Sequence, residues 1–230
     1  MIGLFDPLYW ILVGPTMLIA GWATMRVKST FHRFARTGVR SGMTGAQAAA
    51  AVARAGGAEV NIEKVGGFLS DHYDPRTKTL RLSPEVYDGR SISSIAVAAH
   101  EAGHAIQDVV NYPALTFRSN MVPVASFGSQ LWIWMFMGGM ILQIQPLIVA
   151  GVVAFGAVVL FQLVTLPVEF DASNRAKAVL AQTGIVQTQE EAQGVSKVLN
   201  AAAMTYVAGA LTAVATLLYY VMLLSGSSRD

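Results

Sequence analysis

Four long stretches without a charged side chain constrain this sequence more than any other feature. They run from Leu8 to Met25, Met121 to Leu142, Leu147 to Leu166 and Ala201 to Leu224. A helix needs about 20 apolar residues to cross the hydrocarbon core of a bilayer, and each run is close to that length. Composition agrees: 53% of the residues are hydrophobic and 13% charged, where a soluble domain carries roughly 25% charged residues. The second run is the most polar, with Pro123, Ser126, Ser129 and Gln130 near its start. Only the uncharged QIQP separates runs two and three, which reads as a tight hairpin. The first run is expected to be a retained helix and not a signal peptide, because Asp6 precedes it and the basic residues follow it. Trp10 and Trp22, near its two ends, suit anchoring at the two interfaces.

Four crossings put residues 26–120 and 167–200 on one side, and both termini with the QIQP hairpin on the other. Every lysine and arginine except Arg229 falls on the first side, and Arg26, Lys28, Arg33, Arg36 and Arg40 crowd just after the first run. Basic residues beside a crossing helix stay cytoplasmic, so the polar segments are expected in the cytosol and both termini outside, in a multi-pass protein of the cytoplasmic (inner) membrane. The basic cluster reads first as this topology signal, with a lipid- or substrate-binding role left open. A net charge of +2 and no basic patch interleaved with aromatics exclude nucleic acid as a partner. The absence of cysteine rules out disulfides, thiolate ligands and a cysteine nucleophile. A transporter would carry charged groups inside its spans, and these spans have none.

The polar segments have their own punctuation. In MTGAQAAAAVARAGG, Thr44 caps a predicted helix that Gly56 and Gly57 stop. AEVNIEKV has strand character, and GGFLSDHYDPRTKTLRLS predicts two extended segments around the turn DPRTK. A helix is expected from Ile92 to Val109, capped by Ser91 or Ser93. PVEFDASNRAKAVLAQTG predicts another, stopped by Gly184, and TQEEAQGVSKVLNAAA a helix running straight into the fourth crossing.

The Ile92–Val109 helix contains HEAGH. Residues four apart lie on one helix face, so His100 and His104 can aim two imidazoles at one point with Glu101 beside them. That is the mechanical content of H-E-x-x-H: two zinc ligands and a carboxylate that takes a proton from the attacking water. The small neighbours Ala98, Ala99, Ala102 and Gly103 are expected to leave room around an ion. A hydrolytic zinc site wants a third protein ligand and one open position. His72 is one candidate, and Asp71, Asp74, Glu85, Asp88 and Asp108 are others. Glu169 is favoured by topology, because the membrane hairpin returns the chain to the motif's side there.

The stretches DHYDPRTKTLRLSPEVYDGRSISSIAVAAHEAGHAIQD and LPVEFDASNRA, set among the four apolar runs, resemble the YugP-type membrane zinc metallopeptidases and, more distantly, the HtpX-type membrane proteases. The resemblance implies Zn2+ held by His100, His104 and Glu169, with Glu101 as general base. HtpX-type enzymes place an acid four positions after the ligand glutamate, where this sequence has Ser173. Asp171 or Asn174 is then expected to support a ligand imidazole, and Arg175, His72 or Tyr73 to face the developing oxyanion. The expected fold is a mostly α membrane protein, four transmembrane helices with a small α+β cytosolic zincin-like domain. Its expected activity is that of a membrane zinc metalloendopeptidase acting on protein or peptide substrates in or near the lipid bilayer. The alternatives are a zinc-binding membrane protein without proteolytic activity and a zinc hydrolase of non-peptide substrates.

Overall fold

The computed structural model describes residues 6–67 and 70–227. Phe68 and Leu69 of the first extended segment, and Arg229, lie outside the described residues. The chain is mostly helical. In order it forms α1 (Pro7–Phe34), α2 (Gly45–Ala55), β1 (Asn61–Lys64), β2 (His72–Asp74), β3 (Thr79–Leu82), α3 (Pro84–Tyr87), α4 (Ile92–Val109), α5 (Pro113–Leu142), α6 (Gln145–Gln182) and α7 (Gln189–Ser227). Four of these, α1, α5, α6 and α7, are long and apolar enough to cross a membrane.

The residues group into two compact units, one of 1–23, 117–166 and 205–230, the other of 24–116 and 167–204. Among the described residues of the first unit, aromatic rings form the centre. Trp132 packs at a tilt 4.7 Å from Phe155, Phe136 likewise 4.5 Å from Tyr220, and Tyr9 meets Tyr219 edge-on at 5.2 Å. The Tyr219 hydroxyl donates to the Asp6 carboxylate at 2.9 Å, which gives a fully buried phenol its partner. Gly151 lies against the Phe136 backbone, where a Cβ would come within 2.8 Å of its nitrogen, so α5 and α6 touch backbone to backbone. Leu18, Trp134 and Ile141 point outward, each at least three-quarters exposed, as side chains facing lipid do.

The second unit is built on α4. Its apolar face (Ile95, Ala98, Ala99, Ala102, Ala105) is fully buried against Ala48, Ala49 and Val52 of α2, Leu80 and Leu82 of β3, and Ala176 and Leu180 of α6. Ser91 caps α4 by accepting from the Ser94 N–H, and Thr44 closes a reciprocal capping box with Gln47 on α2. The sheet has the order β1-β3-β2, with β1 parallel and β2 antiparallel to β3. The β2–β3 hairpin turns at Asp74 to Thr79, with Lys78 at φ 51°.

Three helices are longer than the sequence pattern predicts, and the first is α1, which runs past Met25 to Phe34. PVEFDASNRAKAVLAQ is no separate helix: α6 continues through Pro167 from the third apolar run to Gln182. Proline disfavours such continuity, but Val168, Ala172, Ala176 and Leu180 form a buried stripe at four-residue spacing that holds the following turns in place. Likewise α5 starts at Pro113, before the second apolar run. The small neighbours of the motif also do something other than make room for an ion. Ala98, Ala99 and Ala102 are core residues. Gly103 is the point where α4 meets α6: a Cβ there would lie 2.5 Å from the Ala172 carbonyl oxygen.

Candidate metal centre

That close approach puts α6 against the motif. His100 and His104 stand one turn apart on α4, their ring centroids 4.7 Å apart and their planes at 81°. From α6, the Glu169 Oε2 lies 3.1 Å from His100 Nε2 and 3.7 Å from His104 Nε2. The three ligand atoms fall within 4.8 Å of one another and form the one group able to hold a metal ion among the described residues. Donors of a tetrahedral zinc site, at about 2.0–2.1 Å from the ion, stand about 3.4 Å apart. The observed 3.1 and 3.7 Å bracket that spacing.

The other imidazole nitrogens show that the rings are aimed. His104 Nδ1 is 3.0 Å from Gln107 Oε1. The orientation of the Gln107 amide is unambiguous, because its Nε2 donates at 2.8 Å both to the Val168 carbonyl and to Asp171 Oδ2, two groups that only accept. Oε1 therefore faces His104 and accepts from Nδ1–H, which leaves the Nε2 lone pair for a metal. His100 Nδ1 lies 3.1 Å from Ser173 Oγ, so the hydroxyl that stands in place of an acid is itself the partner of the imidazole. Asp171 acts one step removed, accepting from Gln107 and from Arg175 Nε. Gln107 is fully buried, and it ties His104 to the peptide just before Glu169. Sequence reasoning missed it. The signal available was a glutamine three residues after a candidate ligand, on a helix face that is otherwise apolar.

Electrostatics fit a cation site. Burial works against a charged His104, yet Glu169 and Glu101 outweigh it and push its pKa up. Glu101 is 8% exposed. No donor among the described residues hydrogen-bonds its carboxylate, which leaves the oxygens free for a water. Burial raises the pKa of Asp71, opposed by hydrogen bonds from the Ser83 N–H and hydroxyl, and the Glu101 charge raises it further.

The remaining candidates stand elsewhere. His72 is exposed, its Nδ1 2.8 Å from the Ser70 carbonyl oxygen. Asp74 pairs with Arg81, Asp88 with Lys64, and Asp108 accepts from Tyr73 and Lys78. Glu85 and Asn174 are exposed. Tyr73 and Arg175, expected near an oxyanion, are each committed to a carboxylate, and the Arg175 guanidinium lies over the Tyr112 ring.

The profile of the family described as "Putative neutral zinc metallopeptidase" matches residues 9–225. The chain belongs to this family. It is 47% identical over 203 residues to a protein of Bacillus subtilis (strain 168) named "Putative membrane protease YugP", which covers 88% of this chain and 90% of that one. No solved structure matches the chain. The family name implies zinc, and the two imidazoles and one carboxylate that converge here are the donor set such an ion takes.

Proposed function

We propose that the chain is an integral-membrane zinc metalloendopeptidase with His100, His104 and Glu169 as the ligands and Glu101 as the general base. The observation that carries this reading is the aimed pair of imidazoles. Each Nδ1 is held by a neutral partner and each Nε2 faces one buried carboxylate oxygen.

When bound, zinc supplies Lewis acidity that brings a water's pKa to near neutrality and polarises the carbonyl. The residues do the rest. Glu101, on the same helix face and free of donors among the described residues, takes the proton from the attacking water and delivers it to the departing amine. Ser173 and Gln107 hold the two imidazoles in the tautomer that leaves Nε2 unprotonated. The Asp171–Arg175 pair anchors the Gln107 amide from behind. Four candidate membrane helices point to substrates in or beside the bilayer, and the basic residues after the first apolar run point to a cytosolic site with both termini outside.

The test compares the purified protein with Glu101→Gln at equal zinc content, with casein as substrate. Cleavage by the parent that a chelator abolishes and the variant lacks is the expected result. Equal cleavage by both removes Glu101 from the mechanism. If neither cleaves while both hold zinc, the reading becomes a zinc-binding membrane protein or a hydrolase of another bond. Sidedness has its own test, since the chain has no cysteine. An impermeant thiol reagent should label Gln145→Cys but not Arg54→Cys in intact cells, and the reverse pattern inverts the topology.

A further inference from the structure

A second cluster of polar side chains lies away from the candidate metal centre and is used by none of the chemistry above. Arg26, Ser29, Thr30 and Arg33 follow the i, i+3, i+4, i+7 spacing of one face of α1. With Phe34 and with Lys197 of α7 they line an open cavity of about 450 Å³. No acidic side chain among the described residues lines it. Among the described residues, neither Arg33 nor Lys197 pairs with a carboxylate. The Arg33 guanidinium lies 5.5 Å from the centre of the Phe34 ring, which restrains it at the cavity wall. The Ser29 hydroxyl donates back to the Arg26 carbonyl, which leaves Arg33, Lys197 and the Thr30 hydroxyl as the lining groups available to a ligand, with Arg26 beside them.

Arg33 and Lys197, two like charges without a carboxylate on one concavity, repel each other until an anion sits between them. The geometry points to a pocket for a phosphate group, carried by the headgroup of an anionic phospholipid. Phosphate is favoured over carboxylate because its oxygens can engage Arg33, Lys197 and the Thr30 hydroxyl at once, where a carboxylate offers only two oxygens. A lipid is favoured over a soluble phosphate because Arg26 directly follows the last residue of the first apolar run on the same helix. A crossing helix meets the headgroups at that point, and basic clusters there recognise anionic lipids. The inference rests on the membrane reading of α1 and is independent of peptidase activity.

The test uses the full chain in mixed micelles of phosphatidylcholine and phosphatidylglycerol, with retained lipid counted by native mass spectrometry. The parent should retain phosphatidylglycerol preferentially. Arg26→Gln, Arg33→Gln and Lys197→Gln should each weaken that preference, by about fivefold per cation removed. A control triple of Lys28→Gln, Arg36→Gln and Arg54→Gln removes equal charge outside the cavity and should leave it intact. Zinc content and thermal midpoint report folding, and Arg33→Gln alone carries the test if a multiple variant misfolds. Equal loss in the control, or no preference in the parent, overturns the pocket. Displacement of the lipid by millimolar inorganic phosphate keeps the phosphate chemistry and overturns the lipid as occupant.

Discussion

The two units put the same kind of residue to opposite uses. In the first, Leu18, Trp134 and Ile141 are exposed along helices that touch through glycine and aromatic rings. In the second, Leu80, Leu82, Ile95 and a run of alanines are wholly buried around α4. Apolar side chains in one unit report the solvent outside it, and in the other they report a core sealed from water. The difference teaches where polar chemistry can be held. A backbone contact such as that at Gly103 needs small residues on both helices, and the alanine-rich core beside it leaves the imidazoles and Glu169 fixed.

The largest effect that would sharpen this contrast is on catalysis. Glu101→Gln should lower peptide hydrolysis by about 10² to 10⁴-fold with zinc retained, while Gln130→Ala, an exposed polar change in the first unit, should leave the rate unchanged. A rate loss of similar size in both would break the comparison. Stability comes next. Leu80→Ala in the second core should cost about 2–5 kcal/mol, against about 0.5 kcal/mol or less for Leu18→Ala, measured by unfolding in micelles.

A smaller effect is expected at the ligand support. Gln107→Ala should weaken zinc binding by about 10- to 100-fold, read by competition with a chelator. Gln107→Glu should do no better, because a carboxylate there would face the Val168 carbonyl and Asp171, both acceptors. Rescue by glutamate would show that the amide orientation is misassigned. The smallest effect is on pH. Arg81 beside Asp74 holds its carboxyl well below the usual carboxylate range. The folded pKa is depressed, so this pairing stabilises the hairpin above the unfolded value near 4 and is lost as pH falls through the folded value. Protection of the β2 and β3 amides against exchange should therefore fall as pH drops from about 4 toward the folded value, and should lose this pH dependence in Asp74→Asn.

Much of the local architecture is legible in the chain. Ser91 begins α4 and Val109 ends it as the pattern predicts, Thr44 caps α2, DPRTK turns the β2–β3 hairpin, and Gly184 takes the left-handed conformation just after α6. Pro167 misleads, because a proline signals a helix end locally while the buried stripe beyond it is satisfied only by packing. Ser173 misleads in the other direction. Judged as a missing acid it weakens the expected support of a ligand, yet its hydroxyl sits 3.1 Å from His100 Nδ1.

The sequence alone determined the four apolar runs and the pairing of His100 with His104 on one face, because hydropathy and helical period act over neighbouring residues. It also determined Glu101 as the carboxylate beside them. It favoured Glu169 among several acids, but only the tertiary structure decided that this carboxylate faces both imidazoles and that Gln107 and Ser173 aim them. Those outcomes depend on how closely two helices approach, 69 residues apart along the chain between His100 and Glu169. That distance is set by the missing side chain of Gly103 against Ala172, a steric fact that no spacing rule in the sequence records.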